Sequence, residues 1–216
     1  IITGAGNDTI YGSDGNDSIV AGTNLTSSDF IYGGAGTADV LTFTDSNNNT
    51  DDLDNVTGIE TITLGNALTA VTTQDSLVGT GITLTVSAVN ITGSNSLTWD
   101  GSREVDGRFN ITGGGSDDTI IGGQSNDTIS SGAGNNLTIN DTVIGGLGND
   151  TLTFTDNLGG ATDLDNVSGI ETITLGNADT TIKVQDTLVD AGKVLTVNAA
   201  ALTVLAGSSL VWDGSL

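Results

Sequence analysis

The apolar positions fall in short alternating runs. Glu60–Leu64, Leu84–Val86, Leu97–Trp99, Glu171–Leu175 and Leu195–Val197 place aliphatic or aromatic residues at every second position, and clusters of Gly, Asn and Asp separate them. A period of two bounded by turn formers predicts strands. No segment repeats its apolar residues at the helical period of 3.6. Many short strands, about ten to fifteen residues apart, fit a sandwich or a solenoid.

The pattern itself is duplicated. Leu41-Thr42-Phe43-Thr44-Asp45 returns as Leu152 to Asp156, and Asp52 to Asn66 returns as Asp163 to Asn177 with only Thr57 changed, to Ser168. Trp99-Asp100-Gly101-Ser102 returns as Trp212 to Ser215, and Ile2-Thr3-Gly4 as Ile111-Thr112-Gly113. The offset stays between about 109 and 113 residues. Residues 1–107 form a first repeat, with a Gly/Asp-rich block at 1–40 and a Thr/Val-rich block at 41–102. Residues 108–216 form a second, with blocks at 108–151 and 152–216. Such a duplication favours the solenoid, where each rung buries its apolar face on the next. Two nearly whole periods, opening on Ile1 without a visible signal peptide, read as a piece of a long array or head-to-tail polymer.

Composition narrows the function. The chain has 27 acidic and 4 basic residues, no His, and a net charge of −23. Such a polyanion repels nucleic acid and anionic membranes and attracts divalent cations. No apolar run approaches the ~20 residues of a membrane helix. The 32 glycines are about twice the usual share and demand turns. With no Cys, disulfides and thiolate sites are excluded, so an extracellular chain of this kind needs another staple, and bound metal is one. An enzyme reading lacks a His for a triad, a Cys nucleophile and a Gly-x-Ser-x-Gly elbow, and its carboxylates recur in repeat phase, as structural residues do.

The Gly-rich blocks carry the chemistry. Gly145-Gly146-Leu147-Gly148-Asn149-Asp150-Thr151-Leu152-Thr153 fits the nonapeptide G-G-x-G-x-D-x-U-x at every fixed position. Gly12 to Val20, around Asp17, and Gly122 to Ser130, around Asp127, fit with one substitution each; looser copies centre on Asp8, Asp39 and Asp118. Glycines let the backbone turn its carbonyls inward, the Asp adds a hard oxygen, and the apolar residue two places later enters a strand. One such loop cannot supply the six to eight oxygens that calcium takes, but two stacked loops can.

On these residues the chain resembles the RTX (repeats-in-toxin) calcium-binding family, and its Gly-Ile-Glu-Thr-Ile-Thr-Leu strings resemble the β-rich segments between RTX blocks of very large S-layer and adhesin-like proteins. The resemblance implies an all-β, parallel β-roll or β-solenoid with Ca2+ in its turns, on a secreted bacterial surface protein. Loop n stacks on loop n+2 in that family, which implies pairing of Asp8 with Asp29, Asp17 with Asp39 and Asp127 with Asp150. Asp118 would face the loop Gly132 to Asn136, where Asn136 replaces the Asp and Asp141 stands in. The loop backbones implied at the metal are those of Gly4, Gly6, Gly12, Gly15, Gly34, Gly36, Gly113, Gly115, Gly122, Gly145, Gly146 and Gly148.

Asp52, Asp54, Asp163 and Asp165 read as solvated or turn residues, and Trp99 and Trp212 as core packing or a cap between rungs. Asn-x-Ser/Thr triplets such as Asn24-Leu25-Thr26 are expected by chance in an Asn- and Thr-rich chain. The leading expectation is a calcium-dependent structural segment of a surface array, adhesin or extracellular filament, whose partners are calcium and further copies of itself, head-to-tail or lateral. A passive RTX spacer for secretion is one alternative. An ice-binding solenoid is the other, suggested by Thr-x-Thr at Thr42/Thr44, Thr61/Thr63, Thr83/Thr85, Thr153/Thr155 and Thr172/Thr174. Those motifs lack a regular rung spacing along the chain, and Thr is in any case a good strand residue.

Overall fold

The structure, a computed structural model, describes residues 1–45, 48–132, 137–155, 162–203 and 209–214. Among the described residues nineteen strands, numbered along the chain, alternate between two faces. The even ones form a single nine-stranded parallel sheet: β2 (Ser18–Gly22), β4 (Val40–Phe43), β6 (Thr61–Leu64), β8 (Thr83–Ser87), β10 (Arg108–Thr112), β12 (Thr128–Ser130), β14 (Thr151–Phe154), β16 (Thr172–Leu175) and β18 (Thr196–Asn198). The odd ones form three parallel sheets. These are β1 (Thr9–Tyr11), β3 (Phe30–Tyr32) and β5 (Val56–Thr57); then β7 (Thr69–Thr72), β9 (Leu97–Asp100), β11 (Thr119–Ile121), β13 (Thr142–Ile144) and β15 (Val167–Ser168); then β17 (Thr180–Lys183) with β19 (Leu210–Asp213). The result is the parallel β-solenoid expected from the sequence, about eight turns long, with no helix among the described residues. The nine-stranded sheet runs through both sequence copies without interruption.

Alternation within each strand sends one set of side chains inward. Ile19, Leu41, Ile62, Val86, Ile111, Ile129, Leu152 and Ile173 stack in register down the even sheet, each with no exposed surface. Val71, Trp99, Ile120, Val143 and Val167 face them from the odd side, all buried. Each such side chain contributes about 1.5–3 kcal/mol on burial, and no single turn can bury it alone. Trp99 packs edge-to-face on Phe109, centroids 5.6 Å apart. Its copy Trp212 is 45 % exposed, so the packing read from the Trp-Asp-Gly-Ser repeat holds for Trp99 alone.

One further expectation changes in part. Asp52 lies in a turn, as one of the two readings had it, but it is buried, 2 % exposed, and not solvated. The Thr-x-Thr motifs are out of phase with one another, as expected: only Thr61/Thr63 and Thr172/Thr174 fall on the same two positions, while Thr42 pairs with Thr63, Thr83 with Arg108 and Thr153 with Thr174. What the register aligns, across turns of 18 residues (Ile111 to Ile129) to 25 (Val86 to Ile111), is the outward strand positions as a set. On the outer face of the even sheet Thr61, Thr85, Asn110, Thr128, Thr151, Thr172 and Thr196 form one column, and Thr42, Thr63, Ser87, Thr112, Ser130, Thr153 and Thr174 another.

Candidate calcium sites along two acid columns

The acid of each nonapeptide stands immediately before a strand, so parallel pairing of the strands stacks the acids. On the even side the N–H of Asp17 donates to Asp39 Oδ1 (2.7 Å), and that of Asp39 to Glu60 Oε2 (2.8 Å). The second copy repeats this: Phe109 N–H donates to Asp127 Oδ1 (2.7 Å), Asp127 N–H to Asp150 Oδ1 (2.7 Å), and Asp150 N–H to Glu171 Oε2 (2.8 Å). On the odd side Asp8 N–H donates to Asp29 Oδ1 (2.8 Å), Leu97 N–H to Asp118 Oδ1 (2.8 Å) and Asp118 N–H to Asp141 Oδ1 (2.7 Å). Residues 133–136 of the loop expected opposite Asp118 lie outside the described residues.

One carboxylate oxygen of Asp29, Asp39, Asp118, Asp127, Asp141 and Asp150 is therefore used along the axis, and the fate of the second oxygen divides the sites. Asp118 Oδ2 accepts from Gly114 N–H, Asp127 Oδ2 from Gly123 N–H, Asp29 Oδ2 from Thr26, and Asp141 Oδ2 from Thr138. Oδ2 of Asp8, Asp17, Asp39 and Asp150 is buried and accepts no hydrogen bond. A buried charged oxygen without a donor is costly.

The Oδ2 atoms of Asp17, Asp39 and Asp150 face glycine backbone. A methyl placed on Gly36 would stand 2.5 Å from the Gly15 carbonyl oxygen and 2.8 Å from Asp39 Oδ2. The same position on Gly12 falls beside Gly33 O and Asp17 Oδ2, on Gly145 beside Gly169 O and Asp150 Oδ2, and on Gly122 beside Gly145 O and Asp127 Oδ2. Any side chain there would fill the space where a carboxylate and a neighbouring turn's carbonyl converge. Gly113 lies against Asp118 Oδ2, while Gly34, Gly146 and Gly148 approach carbonyls of the preceding turn. A methyl on Gly4, Gly6 or Gly15 would meet nothing within 4 Å, and one on Gly115 only Ile91 O at 3.8 Å, although the Gly15 carbonyl itself reaches the space between Gly36 and Asp39.

The sequence model of one family, the RTX calcium-binding nonapeptide repeat in 4 copies, matches residues 1–24, 110–137 and 140–153. The chain carries RTX repeats. The match covers under a third of the chain and leaves out Gly33 to Asp39, whose Asp39 is nevertheless fully buried in the same column. No curated protein and no solved structure matches the chain. RTX repeats are calcium-binding and of a structural, non-catalytic kind.

Hard oxygens, an unpartnered carboxylate oxygen and converging carbonyls fit calcium. Without an ion the RTX acids are strained electrostatically. Burial foremost, then the charges of Asp127 and Glu171, pushes the Asp150 pKa up to about 7 against the pull of its hydrogen bond from Asp127. Burial pushes Asp118 up to about 6, with Asp141 and Asp117 adding to it, and also raises Asp127 and Asp141. Glu60 and Glu171 were missed by the nonapeptide reading although they continue the RTX columns. Their signal was present: Gly58-Ile59-Glu60-Thr61-Ile62-Thr63, and its copy from Gly169, is the last two-thirds of the nonapeptide with Glu in place of Asp.

Proposed function

We propose that the chain is a calcium-dependent structural segment of a secreted bacterial surface array, adhesin or extracellular filament, in which calcium ties successive turns of one solenoid. The observation that carries this is the set of buried, unpartnered Oδ2 atoms on Asp17, Asp39 and Asp150, each set against a glycine and a carbonyl of the next turn. In this reading Asp8, Asp17, Asp29, Asp39, Asp118, Asp127, Asp141 and Asp150 supply the carboxylates. The two sequence repeats, 1–107 and 108–216, are its unit of length. The ion supplies a positive charge between like-charged turns. The protein's part is to hold the oxygens inward and to replace the turn's contact with water.

Calcium outside the cell and little within would keep such a chain unfolded before export and rigid afterwards, since extracellular calcium sites commonly have dissociation constants of about 10⁻⁴–10⁻³ M. The charge of −23 gives calcium a second use, bridging the sides of neighbouring copies. The test is circular dichroism and electron microscopy across a calcium titration. Gain of β-signal with ordered assemblies at millimolar calcium is the expected result. Folding without assembly would reduce the role to a spacer, and an unchanged spectrum would remove calcium control altogether.

A second reading has its own observation. The paired Thr columns present hydroxyl and methyl groups on a lattice of about 4.8 Å by about 7 Å, which suits an ice-binding face. Thermal hysteresis in calcium that disappears in chelator would establish it.

A further inference from the structure

Three carboxylates converge outside both acid columns, in the stretch that the RTX model leaves unmatched. Asp75 follows β7, and Glu104 and Asp106 lie in the loop between β9 and β10; one oxygen of each lies within 4.8 Å of the other two. Asp75 and Asp106 are exposed, whereas Glu104 has no exposed surface. Each has one oxygen held in place. Val105 N–H donates to Asp75 Oδ1 (2.9 Å), Gly107 N–H to Glu104 Oε1 (2.8 Å), and the Thr80 hydroxyl to Asp106 Oδ2 (2.7 Å).

Glu104 Oε2 is buried and accepts no hydrogen bond. Its neighbours Asp75 and Asp106 carry the same sign of charge, so they add to the cost of its burial instead of relieving it. Among the described residues none of the three carboxylates forms an ion pair, although Arg103 and Arg108 flank Glu104 and Asp106 in the chain. A fully buried, unpartnered carboxylate oxygen beside two anchored carboxylates is a donor set of hard oxygens, and the two exposed members leave room for water to complete a shell of six to eight.

We infer that Asp75, Glu104 and Asp106 form a divalent-cation site of the calcium class, separate from the nonapeptide columns. The ion ties the loop 101–107 to the loop after β7. That loop is in turn bonded forward, since Gln124 N–H donates to the Glu104 carbonyl (3.0 Å). Metal stapling thereby reaches the part of the first copy that has no nonapeptide, and it does so at the junction of the two copies.

The experiment measures calcium bound per full chain by equilibrium dialysis at millimolar calcium, with thermal melts in calcium and in chelator. Asp75→Asn and Asp106→Asn change exposed side chains whose anchoring oxygens survive as amide oxygens. Each is expected to lower bound calcium by one ion per chain and to lower the melting temperature in calcium, with melts in chelator raised, since a like charge beside Glu104 is removed. Glu104→Gln should lose the same ion while keeping the side chain's size. Wild-type stoichiometry in the two Asn variants, or equal melting losses with and without calcium, would overturn the site. Asp150→Asn reports on the RTX columns in parallel, so failure of that reading is separately visible.

Discussion

Lys193 Nζ stands 3.9 Å from Glu171 Oε1 and also bonds the Gly148 carbonyl and Asn149 Oδ1. It is an ammonium seated among oxygens of a nonapeptide loop and of the acid that continues its column. In the first copy the matching position, before Thr83-Leu84-Thr85, is Ile82. Lys193→Ile should make the second copy depend on calcium as the first does. The pair is partly exposed, so the loss is modest, of order 0–1 kcal/mol. A lower melting temperature in chelator, with the difference closing in millimolar calcium, is the expected outcome of paired scans.

The raised carboxyls give a pH dependence with a definite sign. Asp150 and Asp52 lie near 7 and Asp118 near 6 in the folded, metal-free chain, above the ~3.9 of an unfolded Asp. The folded state binds more protons, so this contribution is fully present below about 4 and is lost as pH rises through 6 to 7. In chelator the chain should therefore melt higher at pH 5 than at pH 8. In calcium the order should reverse, because protons and the ion compete for the same oxygens. Identical chelator melts at the two pH values would show these acids to be ionised and solvated.

Ser13 occupies the second nonapeptide position with φ of 82°, where Gly34 and Gly146 have 112° and 105°. A residue with a Cβ pays about 1–2 kcal/mol in that region. Ser13→Gly should raise stability by about 1 kcal/mol, measured by urea unfolding in calcium. Gly145→Ala should do the opposite and abolish calcium binding there, since its methyl would meet Gly169 O and Asp150 Oδ2.

Position within the column, not charge, should decide which acids matter. Asp150 is fully buried with Oδ2 unpartnered, while Asp54 is half-buried and accepts from Gln74 Nε2 (2.9 Å). Asp150→Asn should cost several degrees of calcium-dependent melting temperature and Asp54→Asn little. Equal losses would point to bulk charge.

The solenoid was legible because each strand carries its own alternation and the duplication excludes a one-off arrangement. The stacking of Asp17 on Asp39 was legible only through the resemblance to the RTX family, in which loop n stacks on loop n+2; position six then precedes each strand, so the parallel pairing of β2 with β4 carries the two acids together. What escaped depends on neighbouring turns. Asp51-Asp52-Leu53-Asp54 reads as a polar loop, and only the turns laid against it bury Asp52. The Thr columns escaped because turn length varies while register does not. Glu104 stands alone in sequence, and its acidic neighbour Asp75 arrives from the previous turn.

The unbroken even sheet has a mechanical consequence. In a parallel sheet the inter-strand bonds run across the strands, and here across means along the axis of the solenoid. A pull applied from end to end therefore loads one turn's bonds after another in series, so the chain yields by peeling single turns instead of shearing all at once. A cation lodged between two turns is a rivet at that interface. Tension on a calcium-filled chain is released first where no ion sits, which makes the unriveted turns its extensible elements.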